Sequence, residues 1–115
     1  MKLIDTYGLE RLSGGNATID GVAEGFEPFV LARIAAEAGK NRPIIFVARD
    51  GQRLPTMTEA LAFIDPGLPV LELPAWDCLP YDRVSPGSDT AARRLDALSQ
   101  MNALREKPHR AVVLT

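Results

Sequence analysis

The chain has 115 residues, 46% of them apolar and 24% charged, with thirteen basic side chains against fifteen acidic ones and a net charge of −2. That length suits one domain rather than two, and the charge balance, with no basic tract longer than Arg93-Arg94, leaves no overall electrostatic footprint for nucleic acid. A single cysteine, Cys78, excludes a disulfide framework or a tetrahedral cysteine site and fits a reducing compartment, and no run approaches the about eighteen apolar residues of a membrane span.

The first seventeen residues read as a helical or irregular lead-in, in which Ile4, Tyr7, Leu9 and Leu12 predict a short amphipathic helix before the breaker Ser13-Gly14-Gly15. Asp5 and Glu10 interrupt this stretch, which argues against a signal peptide, so a cytoplasmic, membrane-free protein is expected. The domain itself is expected over residues 18–115. It opens with a β-prone run, Ala17 to Val22, that ends in a glycine-rich turn. Pro28 suits the first turn of a helix, Leu31, Ile34, Ala35 and Ala38 recur at helical spacing, and Gly39 is a stop.

Ile44 to Ala48 has the continuous apolar character of a strand covered on both faces. Leu54, Met57, Leu61 and Ile64 mark the apolar stripe of a second helix, closed by Asp65-Pro66-Gly67. Val70 to Leu73 reads as a further strand ended by Pro74, and a nonperiodic segment, Ala75 to Gly87, follows. Ser88 or Asp89 is placed to cap a third helix carrying Leu95, Leu98, Met101 and Leu104, and Ala111 to Thr115 is a final buried strand. This alternation predicts an α/β fold, a mostly parallel open sheet with flanking helices. An apolar strand with no helix after it leads to the expectation that the chain is an excised or truncated part of a larger α/β protein.

A phosphate loop, G-x-x-x-x-G-K-[ST], opens the backbone with glycines and reaches phosphate and magnesium with its lysine and hydroxyl. Aligned from Gly21, the second glycine becomes Phe26, the lysine Glu27 and the hydroxyl Pro28. Helix N-termini attract anions, but Glu24 and Glu27 bring negative charge there and Pro28 removes a donor. Gly25 still permits a tight turn. The segment Gly21 to Phe29 therefore occupies the place of a phosphate loop without its chemistry.

The loop from Trp76 to Pro86 lies beyond the C-terminal end of a predicted strand, where open sheets place ligands. Asp82 and Arg83 are candidate binding groups and Tyr81 a candidate for base stacking; the simpler expectation is that Trp76, Leu79 and Tyr81 pack this proline-stiffened loop onto the sheet. Cys78 has no base partner in sequence and His109 no metal-ligand spacing. Asp50, Asp65, Asp77, Asp82 and Asp89 fall at turns, where caps and Asx turns account for them. Arg93, Arg94 and Arg105 are candidate DNA contacts, Arg94 and Arg105 sharing a helical stripe, with solvated helix charges as the simpler account.

The stretch LPAWDCLPYDRVSPGSDTAARRLDALSQM, Leu73 to Met101, resembles the N-terminal region of the bacterial transcription-repair coupling factor family in its Trp76, Leu79, Pro80, Tyr81 and Asp82, the following Ser85-Pro86, and the helix containing Arg93-Arg94-Leu95. GVAEGFEPFVLARIA is similar to that family's strand-turn-helix opening, so the resemblance runs from about Gly21 to Thr115. The same family region is similar to the first domain of the excinuclease protein UvrB, with Glu27 and Pro28 standing where that protein has the lysine and hydroxyl of a working ATP loop. Tyr81, Asp82 and Pro86 resemble the start of its Tyr-Asp-x-x-x-Pro stretch, but Val84 to Ala91 leaves no room for its long DNA-clamping hairpin.

The resemblance implies a degenerate P-loop NTPase or helicase-like domain with no catalytic, cofactor-binding or metal residues of its own. It further implies that ATP and magnesium act in motor domains beyond residue 115 of a full-length DNA translocase, which displaces stalled RNA polymerase on double-stranded DNA and recruits the excinuclease protein UvrA. This region would be a structural and interaction module beside the UvrA-binding part. Two other readings of the residues stay open: a small nucleotide-handling enzyme with an atypical phosphate loop, and a direct DNA-binding module.

Overall fold

The computed structural model describes residues 15–115, so the helix expected from Ile4, Tyr7, Leu9 and Leu12 lies outside the described residues. Among the described residues three helices alternate with three short strands: α1 (Glu27–Glu37), β1 (Pro43–Phe46), α2 (Arg53–Ile64), β2 (Val70–Glu72), α3 (Ser88–Glu106) and β3 (Ala111–Leu114). The strands form one open sheet in the order β1-β3-β2, with both pairings parallel. The small α/β domain with a parallel sheet and flanking helices is the architecture that the alternating pattern predicts.

β3 lies in the centre because it alone is apolar at every position and buried at every position, from Ala111 and Val112 to Val113 and Leu114. Its register sets Ile44 and Val70 beside Val112, and Phe46 and Glu72 beside Leu114. Side chains alternate across a strand. Ile44, Phe46, Val70, Val112 and Leu114 accordingly point to one face, where Leu31, Ala32 and Ala35 of α1 and Leu54, Met57 and Leu61 of α2 cover them. Leu71, Ala111 and Val113 point to the other face and pack under Leu104 and Met101 of α3.

Helix boundaries follow local chemistry. α1 starts with Pro28 in its first turn and ends before Gly39, whose φ of +94° is the left-handed conformation of a helix stop. α2 ends at the Asp65-Pro66-Gly67 turn, and the Asp65 carboxylate is held by Arg110 at 2.9 Å just before β3.

Several expectations fail, among them the burial of Ile44 to Ala48 on both faces, since β1 is an edge strand on which Ile45 is 63% and Val47 73% exposed. The run Ala17 to Val22 forms no strand: Ala17, Thr18 and Asp20 are exposed, and Gly21 turns the chain at φ +75°. A strand exists by virtue of its neighbour, and among the described residues none pairs with this segment, whose Asp20 and Gly21 are poor strand formers. The stripe predicted on α3 is also only half used. Met101 and Leu104 pack on the sheet, but Leu98 is 46% and Leu95 68% exposed. A strict spacing of three falls about 60° short of a full turn at each step, so Leu95 stands on the opposite side of α3 from Leu104, whereas Ala97, 2% exposed, shares the face of Leu104.

Candidate functional site

The turn expected in the place of a phosphate loop follows no strand; it is built by two glycines and closed by the Glu27 carboxylate. Gly21 and Gly25 have φ of +75° and +84°, and a Cβ at either would meet nothing within 4 Å, so the backbone conformation rather than space calls for glycine. The Phe26 N–H donates to Ala23 O at 2.9 Å, and Phe26 and Phe29 stack with ring centroids 5.0 Å apart. The Gly25 N–H, one of the donors that a bound anion would seek, donates instead to Glu27 Oε2 at 2.7 Å.

Arg53, in the first turn of α2, projects into the same hollow of about 330 Å³. Its guanidinium lies 3.5 Å from Glu24 Oε1, 3.5 Å from Glu27 Oε1 and 3.7 Å from Asp50 Oδ2. Arg49 also lines the hollow, 3.9 Å from Asp50 Oδ2, so three carboxylates stand against two cations and leave net negative charge where a phosphate loop concentrates positive potential. Of the predicted positions Gly25, Glu27 and Pro28 line this hollow and Gly21 and Phe26 do not, and within it the chain's own carboxylates and arginines meet each other. Sequence reasoning missed Arg53; its spacing of three from Asp50, on the first turn of a helix, was the available signal.

The second candidate region is the loop between β2 and α3. Asp77 staples it shut: both carboxylate oxygens accept the Gly87 N–H, at 3.2 and 3.1 Å, and Oδ2 also accepts the Thr90 hydroxyl at 3.2 Å. This interaction takes over the capping role expected of Ser88 or Asp89, for the cap residue Gly87 has no side chain and Ser88 is already helical. A carboxylate from ten residues upstream, at the start of α3, meets the same need for an acceptor at the helix N-terminus.

Within the staple the loop shows its apolar side chains to solvent. Trp76 is 52%, Leu79 75% and Val84 67% exposed, and Tyr81 is fully exposed. The expected packing of Trp76, Leu79 and Tyr81 onto the sheet does not occur, because the sheet below is already covered by Met101 and Leu104. Together with Pro80, Asp82 and Pro86 these residues line a shallow hollow of about 530 Å³. Tyr81 adopts φ +67°, an unusual conformation for a residue with a Cβ; the Asp82 N–H donates to Leu79 O at 3.1 Å and the Arg83 N–H to Asp82 Oδ1 at 2.8 Å, which hold the turn.

The three arginines considered for DNA are not a common face. Arg93 donates to Glu72 Oε2 at 2.8 Å. Arg94 bonds Pro74 O and lies with its guanidinium carbon 4.4 Å from the Trp76 ring centroid, a cation–π contact; Arg105 is exposed near the far end of α3. Arg93 is spent in fixing the end of β2 to the helix, and Arg94 in fixing the loop to it. Cys78 is a half-buried free thiol, and His109 Nδ1 lies 3.1 Å from Lys107 O. Among the described residues no group of three histidine, cysteine or acidic side chains is placed to hold a metal, and no helix is long and apolar enough to cross a membrane.

No known family profile matches the chain, and no solved structure matches it. Over 68 residues, 59% of its length, it is 32% identical to the transcription-repair-coupling factor of Mycobacterium bovis and, to the same extent, to that of Mycobacterium tuberculosis. The matched stretch spans 5% of those proteins' own length. What the chain is similar to is thus a small region of a much longer transcription-repair-coupling factor.

Proposed function

We propose that the chain serves transcription-coupled DNA repair as a non-catalytic N-terminal module of a transcription-repair coupling factor. In this reading the domain descends from the helicase-like first domain of the excinuclease protein UvrB and keeps the α/β scaffold while its ATP loop has decayed. It acts as a scaffold next to the region that recruits the excinuclease protein UvrA. The motor that binds ATP and magnesium, translocates on double-stranded DNA and displaces stalled RNA polymerase belongs to other domains of the full-length protein.

The observation that carries the reading is the Glu27 carboxylate on the Gly25 N–H, with Glu24 and Asp50 gathered on Arg53. A triphosphate would have to displace one carboxylate and approach two more, with no lysine to neutralise it. The exposed loop at Trp76 to Val84 suits an interaction module, since aromatic side chains are common anchors of protein interfaces. Calorimetry of the chain with Mg-ATP is expected to show no saturable heat; a micromolar dissociation constant would overturn the proposal and favour a nucleotide-handling enzyme.

A further inference from the structure

We draw no further inference here: the strongest candidate, the apolar surface patch that Trp76, Leu79, Tyr81 and Val84 form on the stapled loop between β2 and α3, is an unpartnered face, and nothing in the structure shows what covers it.

Discussion

Glu72, the last residue of β2, and Arg93, in the second turn of α3, meet at 2.8 Å across the edge of the sheet, with the Glu72 side chain 20% and the Arg93 side chain 48% exposed. The other Glu72 oxygen accepts the Thr58 hydroxyl of α2. One carboxylate therefore links helices on opposite faces of the sheet around its edge strand. The arrangement needs a side chain that is long, acidic and at the end of a strand, and it removes Arg93 from any shared basic face.

A double-mutant cycle of Glu72→Ala and Arg93→Ala should give a coupling below about 1 kcal/mol, because the pair is partly exposed to water. Urea denaturation at about 0.1 M and 1 M salt checks this: the coupling is expected to shrink at high salt. A salt-independent coupling of several kcal/mol would mean that the pair is far better sheltered than its exposure indicates.

Tyr81 predicts a stabilising substitution. Its ring has no protein contact to lose, being fully exposed, while its φ of +67° opposes the preference of every residue with a Cβ. Tyr81→Gly should raise stability by roughly 0.5 kcal/mol, the relieved left-handed penalty less the extra entropy of an unfolded glycine. The urea midpoint should rise with an unchanged slope; a lower midpoint would show that the ring is anchored.

The Asp77 staple predicts non-additivity. Asp77→Ala should cost about 1 kcal/mol, the usual value of a lost helix-cap acceptor. Gly87→Ala should cost a similar amount, because a Cβ there would lie 2.6 Å from Asp77 Oδ2 and force the carboxylate away. Both substitutions break the same contact, so the double variant is expected to be little worse than either single one, as read from thermal or urea unfolding. Full additivity would separate the glycine from the staple.

Core and solvent face should respond very differently. Leu61→Ala, at a fully buried position between α2 and the sheet, should cost about 2–5 kcal/mol. Leu95→Ala, on the solvent face of α3, should stay within about 0.5 kcal/mol. Equal losses in denaturant unfolding would mean that this face of α3 is covered in solution.

Gly25 and Gly51 make a matched pair. Neither has an atom within 4 Å of an added Cβ, but only Gly25 has a positive φ. Gly25→Ala is expected to lower stability by about 1 kcal/mol, and Gly51→Ala to have almost no effect, by urea unfolding.

Much of the framework was legible along the chain because it depends on near neighbours in sequence. Apolar spacing of three and four located α1 and α2, Gly39 and the Asp65-Pro66-Gly67 turn closed them, and the all-apolar run at Ala111 to Leu114 announced the central strand. The carboxylates and the missing lysine of the Gly21 to Phe29 turn were also local, since they follow from which residue types stand there. Tertiary structure alone decided whether Ala17 to Val22 has a strand partner, whether Leu95 and Leu98 meet the sheet, and that Arg53, Asp77 and Glu72 close the turn, the loop and the edge. Strand pairing, coverage and side-chain contacts between distant parts of the chain depend on where those elements come to lie, and an apolar or charged side chain carries the same local signal whether or not a neighbour arrives to cover it.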